Sequence, residues 1–172
     1  MGPISAEVEV DAPREAAFAL ISDLARRPSY TDHFLIEYRL TRLESRGVGA
    51  GARFRVNEPF RLPWEDTTIV ELDEPFKIVE RGTGGRFNRI PTHTVWEIEP
   101  GRAGMTRLRV THWTEPKEPL DKVVESLSFG AHHQRKSWKK ALNRLRDLLE
   151  AEGPGGERIA VAGGNRYATG IP

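Results

Sequence analysis

Residues 119–152 limit what this chain can fold into more than any other stretch. Leu120, Val124, Leu127, Ala131, Arg135, Trp138, Leu142, Leu145 and Leu149 recur at spacings of three and four, the period of a helix with one buried stripe. A helix of about eight or nine turns cannot bury such a stripe by itself. It must lie lengthwise on a broad apolar surface, and the preceding sequence has to supply one.

Strand periodicity supplies it. Residues 4–10 alternate apolar and polar side chains and predict a half-buried strand. Asp11-Ala12-Pro13 then opens a helix, because proline fits the first turn, where its missing N–H costs nothing. Ala16, Ala17, Leu20 and Ile21 share one side of that helix, and a shorter helical piece broken by Pro28 ends near Phe34. Period-two stretches follow at 35–43, 52–56, 65–72, 77–81, 91–99 and 106–114. In the third of these, Asp66, Thr68, Val70 and Leu72 share a face and are taken as inward. Gly82-Thr83-Gly84-Gly85 reads as a flexible hairpin or pocket lid, since no lysine–serine pair or helix start follows to make it a phosphate loop. Gly153-Pro154-Gly155-Gly156 ends the long helix. The expectation is one domain over 1–152 and a Gly-rich tail over 153–172, in which 158–162 reads equally as a short edge strand or as disorder.

Composition removes several functions. The 26 basic and 25 acidic residues nearly cancel, which argues against a nucleic-acid partner. There is no cysteine, so disulfides, thiolate metal sites and cysteine nucleophiles are excluded. The start lacks a secretory pattern and no apolar run reaches the ~20 residues of a membrane span. A soluble cytoplasmic protein with no stable membrane insertion is expected. A homodimer through an edge strand or the tail stays open.

Three places carry a family resemblance: the start Val8-Glu9-Val10-Asp11-Ala12-Pro13-Arg14-Glu15-Ala16-Ala17-Phe18 with Ile21-Ser22-Asp23, the turn Gly47-Val48-Gly49-Ala50-Gly51, and the long closing helix. Together they resemble the START/Bet v 1-like (SRPBCC) superfamily, in its bacterial polyketide cyclase/dehydrase-like branch, over roughly residues 4–150. The resemblance implies an α+β helix-grip fold. A curved antiparallel sheet of about six or seven strands wraps around the C-terminal helix, with one or two short helices after the first strand. It also implies a cavity between sheet and helix for an aromatic, polyketide-like or lipid-like ligand.

The residues expected to line that cavity follow from strand parity. Thr94, Trp96, Val110 and His112 share the inward face of the last two strands, giving an apolar wall with a hydroxyl, an indole and an imidazole. Trp96 serves core and cavity alike. His112 is the candidate general base, because a buried neutral imidazole can accept a proton; a structural histidine is the plainer alternative. Asp66 and Thr68 are placed at the rim, with Arg53, Arg55 or Arg135 needed to pair the carboxylate. Tyr38 is a candidate donor, and Leu127, Ala131 and Arg135 face the cavity from the helix. Arg135 would either hold a carboxylate, phenolate or enolate there or pass along the sheet edge to solvent. His132 and His133 point about 100° apart on a helix and do not chelate one ion, so neither metal nor cofactor is expected. Three functions stay open: a binding protein for a small hydrophobic ligand, a cyclase-, dehydratase- or hydrolase-type enzyme using His112, and a protein-interaction module with a collapsed cavity.

Overall fold

The computed structural model describes residues 2–57, 63–118 and 130–151, without the side chains of Arg86 and Ala131. The strands are β1 (Ile4–Val10), β2 (Leu35–Leu40), β3 (Gly51–Val56), β4 (Trp64–Asp73), β5 (Lys77–Gly84), β6 (Ile90–Pro100) and β7 (Thr106–Thr114). The helices are α1 (Arg14–Ile21), α2 (Pro28–Thr31) and α3 (Gly130–Ala151).

One antiparallel sheet holds all seven strands in the order β1-β7-β6-β5-β4-β3-β2. From β3 to β7 each strand pairs with its predecessor, and β1 closes against β7. Pro13 makes the exit from β1 abrupt: its carbonyl accepts the amides of Ala16 and Ala17, which starts α1 at once. α1 and α2 then carry the chain from one sheet edge to the other. Ala17, Phe18, Leu20 and Ile21 face inward from α1, and Tyr30 does so from α2. α3 packs against β1 and α2, burying Trp138, Ala141, Leu142, Leu145 and Leu149. This is the α+β helix-grip arrangement that the periodicities predict. The predicted helix turns at 119–129 and the tail at 153–172 lie outside the described residues.

β2 ends at Leu40, three residues short of the sequence reading, and two further strands differ from it. In β4 the inward residues are Glu65, Thr67 and Ile69, while Asp66 and Thr68 lie on the outer face and Val70 is exposed. The reason is a bulge. Ile69 pairs with Glu80 and Leu72 with Ile78, so three residues of β4 span what two residues of β5 span. Ile69 and Leu72 therefore both meet the core, and a period-two pattern drawn back from Leu72 arrives on the wrong face. The second difference is that β5 runs on through Gly84 where a loop was expected. Gly82 lies opposite Thr67, so close to β4 that a Cβ would stand 1.7 Å from the carbonyl oxygen of Asp66. The glycine permits close strand approach rather than flexibility.

Gly82→Ala is accordingly expected to destabilise the fold by at least ~1–3 kcal/mol, because backbone must shift to admit the methyl. Urea denaturation of the variant against the parent measures this.

Candidate functional site

Strand register assembles a polar row on the inner face of the sheet. Ile69 of β4, Glu80 of β5, Thr94 of β6, His112 of β7 and Ile4 of β1 are successive cross-strand partners. All five are buried. Three adjacent polar side chains between two isoleucines are unusual for a core and need partners.

Glu80 finds four. Arg27, at the start of α2, donates from both terminal nitrogens to its two oxygens at 2.8 and 2.6 Å. Thr67 and the Trp96 indole each donate at 3.0 Å. Arg27 also donates to the Ile21 carbonyl at 3.3 Å, and its guanidinium lies 5.5 Å from the Trp96 ring centroid. Both ends of the pair are almost fully excluded from solvent, at 2% and 1% exposure. Burial works against the guanidinium's charge, but Glu80 outweighs it and holds the Arg27 pKa well above its ordinary value. Tyr30 packs edge-on against Trp96. Burial raises its pKa, with the charge of Arg27 pulling the other way.

His112 contacts Thr94, with 2.9 Å between Nδ1 and the hydroxyl. Burial lowers its pKa to about 4, only partly offset by the negative charge of Glu80. The imidazole is therefore neutral at pH 7.

A cavity of about 10 Å³ lies beside this row. Phe34, Leu35, Phe54, Val56 and Trp138 form its apolar wall, and Arg27, Glu65, Thr67, Glu80, Thr94, His112 and Gln134 its polar one. Trp138 reaches down from α3 into the aromatic cluster, with its ring centroid 5.1 Å from Phe34 and 5.5 Å from Trp96.

Thr94 and His112 thus line the cavity, while Trp96 and Val110 are packed core beside it. Tyr38 stacks on Phe54 at 5.6 Å, and its buried hydroxyl lacks a hydrogen-bond partner among the described residues. Burial raises its pKa. Leu127 lies outside the described residues, and only the backbone of Ala131 is within them.

The inward placement of three other candidates fails. Asp66 and Thr68 are turned away by the β4 bulge, and Asp66 pairs on the outer face with Arg53 at 3.5 Å and with Asn88. Arg135 is exposed on the outer side of α3 with Lys136, Lys139 and Lys140. Stepping back one turn from Trp138 along the buried stripe gives Gln134, and 100° of rotation separates that position from Arg135. A neutral amide costs less to bury there than a guanidinium, which would need a counter-ion.

Sequence reasoning missed Arg27, Glu65, Thr67, Glu80 and Gln134. Glu80 left a trace: it shares the phase of Ile78, and an acid in an apolar phase requires a cation. Arg27 left none, since Arg26 and Arg27 precede Pro28 in a short irregular stretch. His33, just after α2, donates from Nε2 to the Ser137 carbonyl at 3.1 Å, which ties the end of that crossover to α3. Among the described residues no group of three or more His, Asp or Glu side chains could hold a metal, and no helix is long and apolar enough to cross a membrane.

The model of a family described as polyketide cyclase / dehydrase and lipid transport matches residues 1–150. No curated protein matches the sequence. Similar solved structures include KanY at 19% identity, with a TM-score of 0.67 over 87% of this chain and 99% of that one. The major latex-like protein 151 of Panax ginseng matches at 12% identity and a TM-score of 0.64, over 86% and 97% of the two chains. DynU16, from the dynemicin biosynthetic locus, matches at 18% identity and a TM-score of 0.57, over 90% of this chain and 49% of its own. At these identities the likeness is one of fold.

Two stability predictions follow from the site. Arg27→Met strands a buried carboxylate and should cost ~3–5 kcal/mol, whereas Arg27→Met with Glu80→Leu should recover most of that loss. A double-mutant cycle in urea reads the coupling. For His112, the unfolded side chain takes up a proton near pH 6.5 and the folded one only near pH 4. Stability should therefore fall by about 2–3 kcal/mol as pH drops through that window, and be retained above it. His112→Gln should flatten this limb, and an NMR titration of the ring should give the low pKa directly.

Proposed function

The chain belongs to the polyketide cyclase / dehydrase and lipid transport family, and on that footing we propose that it holds a small, largely apolar ligand between the sheet and α3. The observation that carries this reading is the buried row Glu80, Thr94 and His112 on one side of a cavity whose other wall is apolar. Filling these positions with well-packed hydrophobic residues commonly stabilises a core. Polar groups kept in such a place fit a site better than they fit packing. An aromatic or aliphatic body suits the wall of Phe34, Leu35, Phe54, Val56 and Trp138, while a hydrogen-bonding end suits His112.

A volume of about 10 Å³ is room for roughly one water. The ligand-bound state is therefore a more open one, reached when Trp138 and the first turns of α3 lift from the sheet. Binding selects that state.

One observation also favours an enzyme of the cyclase or dehydratase type. His112 is neutral and its Nδ1 is engaged by Thr94, which leaves Nε2 for a substrate. In that role Nδ1–H would donate to the Thr94 hydroxyl, and unprotonated Nε2 would take the proton from a carbon next to a carbonyl, the C–H electron pair passing to the carbonyl oxygen as an enolate.

Native mass spectrometry of gently purified protein, followed by denaturation, tests the binding reading: an apolar small molecule should be retained and then released. If titrated aromatic probes leave the His112 ring resonances unmoved and nothing co-purifies, the reading fails. With a ligand in hand, His112→Ala should keep binding, and a loss of turnover with binding intact would establish the enzymatic role.

A further inference from the structure

Resting on the ligand-binding reading, we infer that the site takes an uncharged polar end, such as a phenol, alcohol or ketone oxygen, and rejects carboxylates, sulfonates and phosphates. Arg27 is the only arginine or lysine among the described residues that line the cavity. Its charge is already spent on Glu80 through two short hydrogen bonds at 2.8 and 2.6 Å. The other ionisable groups of that wall are two acids, Glu65 and Glu80, and a histidine that burial keeps neutral.

The basic cluster Arg135, Lys136, Lys139 and Lys140 of α3 is exposed to solvent, and none of its members lines the cavity. An anion entering the cavity would lose its hydration and meet no uncompensated cation among the described residues. A neutral oxygen fits the hydrogen-bonding groups that remain. Arg27 Nε is buried with no hydrogen-bond partner among the described residues, and the His112 ring has one nitrogen beyond the one facing Thr94.

The test uses a matched pair, 2-naphthol and 2-naphthoate, titrated at pH 7 into the full chain. The readout is the His112 ring resonance, because the basic outer face of α3 will attract the anion without reporting on the cavity. Naphthol should shift the resonance, with naphthoate needing at least ~100-fold more. Equal potency of the two would overturn the inference and leave ligand binding standing. No shift with either probe would overturn the inference, and if nothing co-purifies either, the ligand-binding reading falls with it. Glu80→Gln keeps the size and the hydrogen-bonding edge of the side chain while freeing the charge of Arg27, so it should narrow the ratio by ~10-fold or more. An unchanged ratio in a folded variant would also sink the inference. Should circular dichroism show that variant unfolded, the wild-type ratio decides alone.

Discussion

Glu80 could not occupy the middle of the sheet without Arg27, and much of the molecule is arranged around that dependence. A lone carboxylate at this depth would be protonated or would break the fold, since its hydration is worth several kcal/mol. Arg27 removes the problem by arriving from the start of α2, and Thr67 and Trp96 take up the remaining lone pairs. The pair therefore does more than neutralise charge. It fixes one end of the short crossover against β4, β5 and β6 together, so that Tyr30 meets Trp96 edge-on and Phe34 meets Trp138. Because the acceptors are directional, only one seating of α2 satisfies all of them. An apolar contact of the same area would tolerate several.

The β4 bulge is what lets the sheet present that network. Without the extra residue between Ile69 and Leu72, either Thr67 or Leu72 would be forced outward, since side chains alternate strictly along a regular strand. Thr67 would then be lost to Glu80, or Leu72 to the core. Gly82 has a related role in the adjoining strand, allowing β5 to approach β4 more closely than any side chain would permit. Regular pairing of β5, β6, β7 and β1 assembles the polar row, and these two irregularities bring Thr67 of β4 to it.

Most of the architecture was legible in the sequence because it depends on periods. The spacing of Trp138, Leu142, Leu145 and Leu149 specifies a helix face, and the alternation of Thr94-x-Trp96 and Val110-x-His112 specifies a sheet face. Thr94 and His112 followed from the same alternation. The rest escaped for physical reasons. A bulge changes parity without changing composition, so Asp66 and Thr68 looked inward. A buried ion pair joins residues 53 positions apart through tertiary structure alone, so Arg27 resembled any basic residue in a loop. On α3 the apolar stripe is broad enough that either Gln134 or Arg135 continues it, and only burial energetics choose between them.

The composition of α3 suggests where the cavity opens. From Ala141 onward its inward positions are Ala141, Leu142, Leu145 and Leu149, all apolar and buried. The preceding inward positions, Gln134 and Ser137, are polar, and Gln134 with Trp138 faces the cavity. Burial stabilises apolar area by roughly 25 cal/mol per Å², so the leucine-rich half is held to the sheet far more strongly than the first two turns. His33 on the Ser137 carbonyl and His133 on the Asn57 carbonyl are hydrogen bonds of about 3 Å that water can replace. Lifting the beginning of α3 therefore exposes Gln134 and Trp138 while the leucines stay seated. On the proposed reading, release of that stretch of α3 would open the cavity on the side lined by His112 and Thr94 while the Arg27–Glu80 pair stays in place.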